Sequence, residues 1–199
     1  MLISGGGTTL KKLIDVKNAG QLDANICQVI SSNASAAGNT YAIDNDIPLS
    51  VVQRKSFADS QSFSDQIFDC CRDSKTDLVV MAGFLKKVTI PEDFTNRVIN
   101  IHPSLIPAFS GQGFYGMNVH RAVVEFGCKV SGCTVHFVDN QYDHGPVIAQ
   151  QTLQLDANET PESLKKRVFQ LECSIYPWVI NKIASGKLNV LARNVTIAD

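Results

Sequence analysis

The chain has 199 residues, 44% of them hydrophobic and 19% charged, which suits one globular domain with a real core. A formal net charge of −1, without any Lys/Arg run, counts against nucleic acid as a main partner. No apolar run approaches a membrane span, and Met1 leads straight into a glycine loop instead of a secretory signal.

Met1-Leu2-Ile3 reads as a very short apolar strand. It runs into Ser4-Gly5-Gly6-Gly7-Thr8-Thr9 and then into Leu10 to Ile14, which has helical spacing. Strand, glycine loop and helix make an anion site, because glycines allow close approach and the helix start offers free amides. A plain tight turn explains the same glycines nearly as well, and the loop is neither Gly-x-Gly-x-x-Gly nor a Walker loop. Asn25 to Ser32 reads as a second strand, Ala34 to Asn45 as a helix loosened by Gly38, and Pro48 to Val52 as a third strand. Asp59 to Ser74 has helical spacing through Phe63, Ile67 and Cys70 or Cys71. Leu78 to Ala82 is an uninterrupted apolar run, as expected of a strand covered on both faces, and Gly83 to Val88 is a loop.

Val98-Ile99-Asn100-Ile101-His102 is a strand that Pro103 stops. Alternation puts Asn100 and His102 on one face and Ile99 and Ile101 on the other. An amide and an imidazole are thereby presented where a strand runs out, the place where ligands bind in open α/β sheets. A core histidine and a turn asparagine carry about equal weight on these residues alone. Ser110 to Gly116 is a glycine-rich, aromatic loop expected to be mobile or ligand-ordered. Met117 to Phe126 reads as a helix. Lys129 to Val138 and Val147 to Leu155 read as strands close enough to pair antiparallel across the polar cluster Asp139 to Pro146. Thr160-Pro161-Glu162 starts a helix with Leu164, Val168, Leu171 and Ile175 as its buried stripe, and Glu172 lies beside that stripe. The tail from Gly186 to Asp199 is expected to add edge strands.

Alternating strands and helices predict an α/β fold, a doubly wound, mostly parallel sheet flanked by helices, with an antiparallel pair in the C-terminal half. Without repeats or linkers, residues 1–199 are read as a single domain. Cys27, Cys70, Cys71, Cys128, Cys133 and Cys173 form no Cys-x-x-Cys pair. They are expected to be small core hydrophobes in a reducing cytoplasm, neither a disulfide framework nor a metal site.

Over nearly the whole chain, from Leu2 to about Leu188, the sequence resembles the glycinamide ribonucleotide (phosphoribosylglycinamide) formyltransferases of purine synthesis. The resemblance is carried by Ile3-Ser4-Gly5-Gly6-Gly7-Thr8, by Met81-Ala82-Gly83-Phe84 and by Asn100 to Pro107. Ser131 to Val138 leading to Asp143-His144-Gly145-Pro146-Val147 completes it. It implies a Rossmann-like formyltransferase fold, a monomer or homodimer, with 10-formyltetrahydrofolate as co-substrate and glycinamide ribonucleotide as acceptor in IMP biosynthesis. No metal, nucleic acid or membrane is implied. Asn100 and His102 would stabilise the oxyanion formed on attack at the formyl carbon, and Asp143 would hold His102 charged or take the amine proton through water.

By the same resemblance, Gly7, Thr8, Thr9 and Glu172 would bind the ribonucleotide. Leu85, Lys86, Lys87, Val88, Asn100, Asp139, Asn140, Gln141, Tyr142 and Asp143 would line the folate pocket. Gln61 stands near a position where the family carries a folate-contacting Arg, Thr9 where it usually has Asn, and a few residues are expected ahead of Leu2. Methionyl-tRNA formyltransferase and formyltetrahydrofolate deformylase resemble the same core, with a C-terminal tRNA-binding domain and an N-terminal regulatory domain respectively, and neither is read here. A non-catalytic nucleotide- or folate-binding module is the rival from another class, and an intact Asn100, His102 and Asp143 argue against it.

Overall fold

The computed structural model describes residues 1–198. Two compact units divide the chain, Met1–Ile99 and the residues from Asn100 onward. The first unit runs β1 (Leu2–Ile3), α1 (Thr8–Asn18), β2 (Val29–Ser31), α2 (Gly38–Ile43), β3 (Leu49–Val51), α3 (Ser60–Asp73) and β4 (Val79–Met81). β1 pairs in parallel with β2 and β4, and β2 with β3. Every residue of β1, β2 and β4 is buried. Burial on both faces is why such short apolar strands suffice. Ile3, Leu10, Ile14, Val29 and Ala42 share one core cluster here, so α1 and α2 pack on the strands they connect.

β5 (Val98–His102) leads from the first unit into the second. There follow α4 (Met117–Phe126), β6 (Val130–Phe137), β7 (Val147–Gln154) and α5 (Pro161–Ala184). β6 and β7 are antiparallel, in register from Val130 opposite Gln154. The strand order β3-β2-β1-β4-β5-β6-β7 is that of a mostly parallel α/β sheet with an antiparallel end. Caps set the helix starts: Asp59 accepts from Ser62 N–H at 2.7 Å, and Thr160, the cap expected from the sequence, forms a capping box with Ser163 around Pro161. Each such cap is worth about 1 kcal/mol.

Three expectations are corrected. The second strand shrinks to Val29–Ser31, because Asn25 to Gln28 find no ladder partner. The second helix shrinks to Gly38–Ile43, because Asn39 Nδ2 donates to the Asn33 and Ala34 carbonyls and closes that stretch as a turn. The tail adds no edge to the main sheet. β8 (Leu188–Leu191) and β9 (Asn194–Ile197) pair with each other as a separate hairpin. The expectation of six core cysteines is corrected too: only Cys71 and Cys133 are buried, Cys70 and Cys173 on helices and Cys128 just ahead of β6 are half-buried, Cys27 is exposed, and all six are unbridged. No helix of the described residues is long and apolar enough to cross a membrane.

Candidate active site

β5 delivers Asn100 and His102 to one face, and both turn toward the second unit's own elements. His102 is buried, with 4% of its surface exposed. Its Nε2 lies 2.9 Å from the Phe109 carbonyl, which can only accept, so Nε2 carries a proton. Its Nδ1 lies 3.5 Å from Asp143 Oδ2, an ion-pair separation too long for a good hydrogen bond. The segment that brings Phe109 back to His102 is pinned from below. Ile106 N–H donates to Thr134 Oγ1 at 3.0 Å, Thr134 Oγ1 donates to the Ser104 carbonyl at 2.7 Å, and Ser104 Oγ to that of Ala108 at 2.6 Å.

His136 enters the sequence reading only as part of the Lys129 to Val138 strand, yet on β6 it completes the cluster. Its Nδ1 donates to the Phe137 carbonyl at 2.8 Å, which leaves Nε2 as an acceptor for the Asn100 amide at 3.3 Å. Burial lowers the pKa of His136 despite the opposing pull of the Phe137 carbonyl and Asp143, so the ring is neutral. A neutral acceptor fixes which end of the Asn100 amide faces it. The second N–H of that amide remains a donor. Alternation along β6 puts Gly132, Thr134 and His136 on one face, and that is the sequence signal for this role.

Asp143 sits in the turn between β6 and β7 at φ 49°, a left-handed conformation that Asp tolerates better than most residues. Its Oδ2 accepts from Gly111 N–H at 2.9 Å, and its Oδ1 lies 3.7 Å from His136 Nε2. Gly145 follows because a Cβ there would meet the Phe137 carbonyl oxygen. Asp139 caps the same turn, its Oδ1 accepting from Gln141 N–H at 2.8 Å. Asn140, Gln141 and Tyr142 project into solvent. On α5, half-buried Glu172 has its carboxyl pushed up to about 8 by burial. Burial, and then the nearby Glu172, raise Cys133 to about 12 and Tyr176 beyond its usual range. His120, buried on α4 with Nδ1 unpartnered, is lowered to about 4 by burial, then by Lys165 and His102.

The remaining expected residues belong to the first unit. α1 starts at Thr8 with no side-chain cap and no acidic residue in its first turn, where Thr8 is exposed and Thr9 half-buried. Gly7 has φ 68°, and a Cβ there would lie 2.5 Å from Gly38 Cα. Leu85, Lys86 and Lys87 are exposed in a loop whose Leu85 N–H donates to Ser4 Oγ at 2.9 Å, while Val88 is buried in the core. Gln61 lies on the first turn of α3, its amide donating to Asp65 Oδ1 at 2.8 Å. Among the described residues no group of His, Cys, Asp and Glu is arranged to hold a metal ion.

The profile of the formyl transferase family matches residues 1–180. The chain is 35% identical to the chloroplastic phosphoribosylglycinamide formyltransferase of Arabidopsis thaliana over 94% of its own length, and spans 65% of that relative. It is 34% identical to the phosphoribosylglycinamide formyltransferase of Haemophilus influenzae, covering 96% of this chain and 88% of that one. The crystal structure of glycinamide ribonucleotide transformylase 1 from Symbiobacterium toebii superposes with a TM-score of 0.93 at 35% identity, covering 100% of this chain and 92% of that one. A profile match across residues 1–180, joined to an α/β sheet that ends in the Asn100, His102 and Asp143 cluster, means that this chain belongs to the formyl transferase family.

Proposed function

We propose that the chain is a phosphoribosylglycinamide formyltransferase. It would move the formyl group of 10-formyltetrahydrofolate to the amine of N1-(5-phospho-D-ribosyl)glycinamide in purine biosynthesis. The observation that carries the reading is the meeting of half-buried Asn100 and Asp143 with buried His102 and His136 in one cluster, in a chain whose relatives bear that name. The acceptor amine is itself the nucleophile, so the protein needs donors for the developing oxyanion and a route for one proton. The free N–H of Asn100 and the Nε2 proton of His102 are such donors once the oxyanion displaces the Phe109 carbonyl. Asp143 supplies negative charge beside His102 Nδ1 and accepts the amine proton through water.

The uncapped start of α1, with Gly7, Thr8 and Thr9, is assigned to the ribonucleotide phosphate, and Glu172 to the polar groups of the same substrate. Gln61, Leu85, Lys86, Lys87, the backbone of Val88, Asn100, and Asp139 through Asp143 are assigned to folate. The two units are proposed to act as one formyltransferase domain, since the family profile runs through both. Six unbridged cysteines suit a reducing cytoplasm. The test is formyl transfer between 10-formyltetrahydrofolate and glycinamide ribonucleotide, followed by absorbance of the released folate. Turnover is expected, and its absence with that pair would sink the reading.

A further inference from the structure

We infer that Arg193, at the tip of the β8–β9 hairpin, is a positioning residue that locks the catalytic turn through His144. The hairpin reverses at Ala192, which has φ 54°, with Leu191 paired to Asn194. This reversal points Arg193 back at residue 144. Its Nη2 donates to the His144 carbonyl at 2.7 Å, and its Nη1 to His144 Nε2 at 3.3 Å. A guanidinium only donates, so Nε2 is the bare nitrogen and Nδ1 carries the proton. That proton is donated to Asp139 Oδ2 at 2.7 Å, while Asp139 Oδ1 holds Gln141 N–H. A continuous polar chain therefore runs from the hairpin tip across the turn, from Arg193 through His144 to Asp139.

Asp143 is the residue between these anchors. Its left-handed backbone sets where its carboxylate points, and His144 and Asp139 hold the chain on either side. β9 also lies against β7, so the hairpin is seated on the element that leaves the turn. The hairpin lies beyond the residues 1–180 that the family profile matches, so that match assigns it no part in the site. Arg193 and His144 are exposed, and links of this kind stabilise a fold very little. A small displacement of a catalytic group nevertheless costs turnover out of proportion to its energy. The clamp should accordingly be visible in kinetics and nearly invisible in melting. This inference rests on the assignment of Asp143 above.

The experiment compares Arg193→Ala, Arg193→Lys, His144→Ala and Asp143→Asn in the full chain. Arg193→Ala should lower turnover about three- to ten-fold, with the Michaelis constant for the ribonucleotide and the melting temperature unchanged. Arg193→Lys should recover part of the loss, because one donor still reaches the His144 carbonyl. His144→Ala should lose less than Arg193→Ala, because that carbonyl contact survives. Adding Arg193→Ala to His144→Ala should cost less than it does alone. Wild-type turnover in Arg193→Ala, or a loss tracked entirely by melting, would overturn the clamp. Asp143→Asn separates the two possible failures. Wild-type turnover there overturns the site reading and the clamp together, whereas loss there with none in Arg193→Ala overturns the clamp alone.

Discussion

Replacing Glu172 by Gln should make the protein more stable at alkaline pH and a worse enzyme. In the folded chain burial pushes the Glu172 carboxyl up to about 8, against roughly 4.3 for an unfolded glutamate. Between those values the folded state holds a proton that the unfolded state has released. Stability therefore falls as pH rises through that window and levels off above it. The full shift would correspond to about 5 kcal/mol, and partial exposure of the residue reduces the expectation to about 2 kcal/mol. Glu172→Gln keeps the shape and never ionises. Urea unfolding at about pH 3.5, below the unfolded pKa, should find parent and variant equal, and at pH 8.5 the variant should be more stable by about 2 kcal/mol. If the carboxylate hydrogen-bonds the ribonucleotide, the Michaelis constant for that substrate should rise ~10- to 150-fold, the equivalent of about 1.5–3 kcal/mol. A stability difference that is the same at every pH would refute the perturbed carboxyl. A gain in stability with an unchanged Michaelis constant would leave Glu172 a packing residue.

Other consequences are simpler. His102→Ala and Asn100→Ala should each cost about two to three orders of magnitude in turnover with substrate affinities largely kept, which steady-state kinetics on both substrates would measure. Gly7→Ala forces a Cβ against Gly38 at φ 68° and should destabilise the fold by about 1–3 kcal/mol in thermal melts. Gly6→Ala meets nothing within 4 Å, so a raised Michaelis constant for the ribonucleotide without a melting change would isolate the anion role. An unchanged constant would mean that the loop is only structural.

The sequence was most readable where local chemistry and burial agree. Leu2 and Ile3 alone make a strand, and they were legible because a glycine loop and a helical stripe follow at once. Thr160 and Pro161 announced α5 through a cap that the structure reproduces. The reading failed where a segment's partner lies far away in sequence. Asn25 to Gln28 alternate like a strand but find no ladder, so only Val29–Ser31 remains. The hairpin at Leu188–Ile197 alternates weakly, and nothing local said that it would pair with itself. At the site, Asn100, His102 and Asp143 were named from their motifs. His136 was not, because its role depends on which of its nitrogens the Phe137 carbonyl occupies. Gly111 and Phe109 act through backbone atoms, which carry no residue-type signal at all.

Those two backbone contacts bear directly on how the proposed chemistry would start. Three polar atoms of the cluster are already engaged by the chain itself: His102 Nε2 by the Phe109 carbonyl, Asp143 Oδ2 by Gly111 N–H, and one Asn100 N–H by His136. The His136 contact does not compete with substrate, since the Asn100 amide keeps its second N–H. The other two do. An oxyanion cannot receive the Nε2 proton while Phe109 holds it, and Asp143 cannot offer its full acceptor capacity while Gly111 occupies Oδ2. Phe109 and Gly111 are only two residues apart, so both contacts are made by one short stretch of backbone. Occupancy by substrate would therefore exchange two neutral backbone partners for the charged ones of the transition state. The binding energy of the rest of the substrate would drive that exchange.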